Sequence, residues 1–253
     1  MIARNFTVEL VAQDDPAIGD ELILVRYDDG RVQELRLQDY AQLYALPGVY
    51  EQIVQERLGC RSPAELASML AEAADGLGWE RGGVRVLDLA AGNGVSGEAL
   101  AAAGLRPVLG SDIVASAREA ALRDRPGLYD EYLTLDLLAL TDAQRSAVAG
   151  LQANALCCVA PVGDHPSQLP TAALVAAARL LTADALVVYM HDPSVGAADP
   201  VTQQLWNEEL GGAGQITAQE LRRRRYLHRY TVNGAPFEMV GVVWRLRRGR
   251  EGA

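Results

Sequence analysis

The sequence predicts an α/β chain: a doubly wound, mostly parallel sheet that ends in an antiparallel hairpin, with a β-hairpin and helices ahead of it. Three observations carry this. From Val84 onward, short apolar runs alternate with helix-like stretches, the pattern of successive βαβ units. The first run, over 84–89, feeds a small, glycine-rich turn that opens a helix. Near the end, Asn233-Gly234 separates two strand-like runs over 226–232 and 237–246, a strong hairpin signal.

In chain order, residues 6–11 alternate weakly and suit a first strand, while 21–27 and 31–37 flank the turn Asp28-Asp29-Gly30. Asp39 opens a helical stretch broken at Pro47-Gly48, and Ile53, Val54 and Leu58 space a second short helix over 50–58. Ser62-Pro63-Ala64-Glu65 reads as a capping box with proline at the first helical position. Residues 1–80 are therefore expected to form a hairpin and a helical cap or lid attached to a core over 81–253. In that core the predicted strands are 84–89, 107–111, 132–135, 155–160 and 185–190. The helices between them are 95–103, 115–123, one capped by Thr141-x-x-Gln144, and 169–181. Thr217-x-x-Glu220 is expected to cap a last helix.

With 253 residues and 49% hydrophobic content, the chain fills a substantial core, and no apolar run reaches membrane-spanning length. Neither a signal-peptide core nor a disulfide or zinc spacing around Cys60, Cys157 and Cys158 is visible, so a cytoplasmic protein without a metal is expected. All 23 basic residues are arginine, which removes Schiff-base lysine chemistry and the phosphate-binding P-loop. Residues 1–221 hold 14 arginines against 31 acids, and residues 222–253 hold 9 against 2. That acidic body argues against a nucleic-acid partner, whose affinity comes largely from phosphate neutralisation.

The chemistry concentrates at Val84–Leu100. A strand, a glycine-rich turn and a helix N-terminus bring backbone N–H groups and a positive dipole end to a ligand, and small residues allow close approach. Asp88, four residues before Gly92, would, if it faces solvent, suit a ligand carrying an amine or hydroxyls. The run Val86-Leu87-Asp88-Leu89-Ala90-Ala91-Gly92-Asn93-Gly94 resembles the first motif of the class I S-adenosylmethionine-dependent methyltransferases, with Ala90 where that family usually has its first glycine. Alanine fits there if its φ stays negative.

The resemblance implies a Rossmann-like, seven-stranded sheet. It also implies cofactor contacts from Asp88, Ala90, Gly92, Asn93 and Gly94 in the turn, and from Asp112 and Ile113 after the second strand, with Asp112 on the ribose hydroxyls. Asp136 and Leu137 would meet the adenine, and Ala160 lies in the loop after the fourth strand, which in this fold faces both adenosyl group and substrate. Asp112 would otherwise cap the following helix, and Asp136 would otherwise be a loop acid.

His165 and His191 stand after the fourth and fifth strands as candidate general bases, each with a plain loop role as the alternative. His228 is expected to be structural. Tyr40, Tyr44 and Tyr50 form either a lid or ordinary packing, and Arg222–Arg225 either grips an anion or, more simply, guards a helix end or edge strand. The expected activity is methyl transfer from S-adenosylmethionine to a small-molecule oxygen or nitrogen nucleophile, with no membrane partner and a homodimer left open. Two alternatives stand beside it. One is an NAD(P)-dependent oxidoreductase using Gly92-x-Gly94-x-x-Gly97; the other is a non-catalytic binding or scaffold protein.

Overall fold

A computed structural model describes residues 5–14, 16–163, 168–194 and 216–248. Strands β1 (Phe6–Leu10), β2 (Leu22–Tyr27) and β3 (Val32–Arg36) pair antiparallel in that order, so the expected hairpin is the larger part of a three-stranded sheet. Helix α1 (Tyr40–Ala45) and a π-helical stretch (Glu51–Arg57) lie on it. The π-helix stands where an α-helix was predicted; its closing bond runs from Leu58 N–H back five residues to the Ile53 carbonyl. This wider turn keeps Ile53 and Val54 both inward. Ile23, Val25, Leu35, Leu43, Val49, Ile53 and Leu58 make a hydrophobic cluster separate from those of the main sheet.

Helix α2 (Ser62–Gly76) behaves differently. Its apolar face, with Leu66, Met69 and Leu70, packs with Val86, Leu186, Val188 and Val243 of the main sheet. Proline sits in its first turn as predicted, but the capping box does not form. Arg61 occupies the cap position without a side-chain bond. The Ser62 hydroxyl instead meets the Tyr226 hydroxyl at 2.9 Å and His228 Nδ1 at 2.6 Å. A buried hydroxyl with two tertiary partners has little reason to turn back to its own backbone.

The main sheet comprises β4 (Arg85–Leu89), β5 (Arg106–Asp112), β6 (Glu131–Thr134), β7 (Ala155–Pro161), β8 (Asp184–His191), β9 (Ile216–Tyr230) and β10 (Pro236–Arg248). Its order is β6-β5-β4-β7-β8-β10-β9, with β10 antiparallel to both neighbours. Helices α3 (Val95–Ala102), α4 (Ala115–Asp124), α5 (Asp142–Gly150) and α6 (Thr171–Ala178) fill the connections. Thr141 and Gln144 form the predicted capping box of α5. The order reverses between β4 and β7, and ligands in such sheets bind beyond the carboxyl ends of the strands at that switch point.

The helix expected from Thr217 and Glu220 is absent. Both residues lie in β9, which pairs with β10 from Ile216↔Arg248 to Pro236↔Tyr230. Val240 to Trp244 of β10 is apolar and buried, so its second edge needs a partner; pairing overrides a local cap. Arg222–Arg225 consequently sits on the outer strand. Arg222 and Arg224 reach Glu72 of α2 at 3.0 and 2.9 Å, and Arg223 reaches Glu220 at 2.8 Å. Charge of this kind guards a sheet edge. Among the described residues, no helix is long and apolar enough to cross a membrane.

Candidate functional site

β4 delivers its chain into the turn 90–94 at the switch point. Ala90, Gly92 and Gly94 all have positive φ, at 54°, 54° and 89°. The expectation that Ala90 keeps a negative φ is therefore wrong: the tight turn from strand to helix demands the left-handed region. An alanine there costs about 1–2 kcal/mol, and the turn needs other contacts to hold it.

Those contacts come from four directions. The Asp112 carboxylate, at the end of β5, accepts from Gly92 N–H at 3.0 Å and from Val114 N–H at 2.9 Å. Tyr132, from β6, donates its hydroxyl to the Gly92 carbonyl at 2.6 Å. Arg125, just past α4, donates to the Asn93 carbonyl at 3.1 Å, and the Asn93 side-chain amide donates to Glu51 at 3.0 Å. Glu51 also pairs with Arg125 at 2.6 Å. Tyr44 of α1 lies directly over Gly92, where any Cβ would collide with its hydroxyl.

Asp88 is fully buried. Its Oδ2 accepts from the Ser96 hydroxyl and the Tyr129 hydroxyl, each at 2.7 Å. Its Oδ1 is buried with no partner among the described residues. Burial pushes the Asp88 carboxyl up to about 7 against the pull of those two bonds, with Asp112 adding a further upward push. Asp112 is also raised, by burial, against the backbone N–H groups it binds.

Ile113, beside Asp112, is 67% exposed, an apolar side chain standing free at the rim. Asp136 is exposed and accepts from Leu138 N–H at 2.9 Å, while Leu137 is buried. Ala160 is half-buried near the end of β7.

The two candidate bases fare differently. His165 lies outside the described residues. His191 ends β8, is buried, and has Nε2 3.4 Å from an Arg223 guanidinium nitrogen. Arginine only donates, so in this contact Nε2 is the acceptor. His228 is held by Ser62, and burial, with Arg229 nearby, lowers it to about 3; the structural role fits. Tyr40, Tyr44 and Tyr50 do cluster, with ring centroids 5.0–6.4 Å apart.

Glu51, Arg125, Tyr129 and Tyr132 were not singled out in the sequence. The spacing Tyr129-x-x-Tyr132 before a strand is weak by itself. The signal available is the set of glycines opposite it: a Cβ on Gly97 would collide with Tyr129, and one on Gly110 with Tyr132.

No family model matches the chain, and no curated protein does. Solved structures do resemble it. The plantazolicin methyltransferase BpumL, in complex with a pentazolic desmethylPZN analogue and SAH, superposes with a TM-score of 0.52 at 11% identity, over 84% of this chain and 96% of that one. A ribosomal protein L11 methylase from Lactobacillus delbrueckii subsp. bulgaricus superposes at 0.44 and 18% identity, over 74% and 78%. The chain thus has the α/β fold of a methyltransferase, with the seven-stranded sheet and antiparallel hairpin expected of it.

Proposed function

We propose that the protein transfers a methyl group from S-adenosylmethionine to a small-molecule oxygen or nitrogen nucleophile. The observation that carries this is the turn 90–94 set between the buried Asp88, whose Oδ1 has no partner among the described residues, and the half-buried Asp112, which accepts from Gly92 N–H.

The residues present fit that cofactor. An orphan buried carboxylate oxygen is costly, and a ligand ammonium would satisfy it. Asp112 can offer its carboxylate to ribose hydroxyls while still bound to Gly92 N–H, since each oxygen has more than one acceptor site. Ile113 offers an apolar surface for a base. S-adenosylmethionine supplies an activated methyl on a sulfonium, open to in-line attack by a nucleophile.

The chain contributes alignment and exclusion of water. Asp112 holds the turn, and Tyr44 lies over it at Gly92. His191, at the sheet's carboxyl edge, is one candidate for receiving a proton from the acceptor, and His165, outside the described residues, is the other. A roofed crevice favours a small acceptor over a macromolecule, and the acidic body disfavours RNA or DNA.

The oxidoreductase alternative is weakened at Gly97. In the dinucleotide fingerprint the third glycine lets helix and strand pack closely; here its missing Cβ is needed by Tyr129. A buried acid beside a pyrophosphate is also repulsive. The test is thermal denaturation with S-adenosylhomocysteine, S-adenosylmethionine and NAD. The first two should raise the melting temperature by mass action and NAD should not. Stabilisation by NAD alone would overturn the assignment.

A further inference from the structure

Two tyrosines outside the glycine motif touch it at every turn. Tyr132 donates to the Gly92 carbonyl. Tyr129 donates to Asp88 Oδ2, and its ring stands where a Cβ on Gly97 would be, while Tyr132, with the edge of Tyr129, fills that place at Gly110. The two rings meet edge to face, with centroids 5.5 Å apart. Two glycines thus serve one aromatic pair as much as they serve any ligand.

The consequence falls on Asp88. With Ser96 and Tyr129 both on Oδ2, that oxygen is occupied and the carboxylate cannot swing without breaking two bonds. Oδ1 is left as the free acceptor in a fully buried position. We propose that Tyr129 is the positioning residue of the methyl-donor site: it holds Asp88 so that Oδ1 alone is presented to the cofactor's ammonium, while Tyr132 holds the Gly92 carbonyl. This rests on the methyltransferase assignment for the ligand, but the coupling of Tyr129 to Asp88 stands or falls without it.

The groups that face Asp88 are few. Ser96 and the Gly97 N–H come from α3, Tyr129 from the segment before β6, Tyr132 from β6, Asp112 acts from β5, and Cys157 and Cys158 lie on β7. Ser96, Gly97 and Tyr129 favour the ionised form, and Asp112 opposes it. Tyr129→Phe removes one stabilising donor and leaves the ring on its glycines, so Asp88 should ionise at a higher pH than in the wild type. An ammonium is drawn to the ionised carboxylate, so affinity should rise with pH across that ionisation, and the rise should move upward in the variant.

Two measurements decide this on the full chain. In ligand-free protein, the Asp88 carboxyl is titrated by difference infrared spectroscopy against Asp88→Asn, in wild type and in Tyr129→Phe. Separately, S-adenosylhomocysteine binding is followed by calorimetry from pH 5.5 to 8 in wild type, Tyr129→Phe and Tyr132→Phe. The expected result is an upward shift of the Asp88 titration in Tyr129→Phe. Affinity at neutral pH should fall roughly tenfold, the loss of one hydrogen bond to a charged group, and its pH profile should be displaced. Tyr132→Phe should weaken binding without displacing the profile. A folded Tyr129→Phe with an unmoved Asp88 titration overturns the proposal, as does one that binds like wild type at every pH. If wild type ignores S-adenosylhomocysteine, the methyl-donor role falls with the functional assignment. The ligand-free titration still decides whether Tyr129 positions Asp88.

Discussion

The floor and the roof of the crevice are built by different physics. The floor, the turn 90–94, is held almost wholly by directed polar contacts: Asp112, Tyr132, Tyr129 through Asp88, and Arg125. It tolerates a left-handed alanine because those contacts over-determine it. The roof, from β1 to the π-helix, is held by its own hydrophobic cluster. It touches the floor through Glu51, with Asn93 and Arg125, and through Tyr44 over Gly92. It meets the rest of the core through the buried Glu21–Arg229 pair on β9, Ser116 on the Ala41 carbonyl, and Tyr44 against Ala117 and Ala120 of α4. The roof is docked, and two of its side chains brace the turn on which the chemistry depends.

The largest effect should come from the docking pair. Glu21 and Arg229 are each only 3% exposed, and removing one partner strands a buried charge at a cost of about 3–5 kcal/mol. Glu21→Ala should lower stability by that amount in urea unfolding. Glu21→Leu with Arg229→Met should restore much of it. A loss under about 1 kcal/mol would show that the roof is not docked by this pair.

Asp88 tests the floor. Its folded pKa lies well above the ordinary 3.8, so its contribution to stability is full below about pH 4 and is lost as pH rises toward 7. At about 1.36 kcal/mol per pH unit, the loss is on the order of 4 kcal/mol. Asp88→Asn should flatten this slope, measured as the wild-type-minus-variant difference in unfolding free energy from pH 4 to 8. A difference that does not change with pH would mean that Asp88 ionises freely in the fold.

Asp112→Ala should weaken S-adenosylhomocysteine binding by about 1–3 kcal/mol in calorimetry, as expected for lost charge-assisted hydrogen bonds. It should also loosen the turn, because Gly92 N–H loses its acceptor. Unchanged affinity in a folded variant would reduce Asp112 to a brace for the turn.

Ala90→Gly should stabilise the protein by about 1 kcal/mol, relieving the left-handed alanine. Thermal unfolding checks the sign; a loss would mean that the methyl group's packing outweighs the strain.

The smallest effect concerns how the roof moves. A hinge at Pro47-Gly48 would let only residues 40–50 respond, but Val49 is fully buried among the same side chains as Leu43 and Ile53. Hydrogen exchange with and without S-adenosylhomocysteine should therefore change together over 6–10, 22–36 and 40–57. A change confined to 40–50 would restore the local lid.

Much of this was legible in the sequence because it rests on local chemistry. Apolar runs ending at Asp88 and Asp112 marked strands whose termini share one edge, Thr141 and Gln144 capped α5, and Asn233-Gly234 turned the last hairpin. Each depends on residues a few positions apart, and the parallel sheet follows from their alternation. Where local and distant demands compete, tertiary structure decided. Thr217 and Glu220 signal a helix, yet β10 required a partner. Ser62 signals a cap, yet Tyr226 and His228 claim its hydroxyl. Ala90 reads as a weakness in the motif, yet anchors from β5, β6 and the end of α4 hold the turn around it. Tyr129 and Tyr132 carry no motif at all. Their role exists because β6 pairs with β5 beside β4 and brings two rings against glycines distant in the chain, Tyr129 on Gly97 and Tyr132 on Gly110, a proximity that only the folded sheet creates.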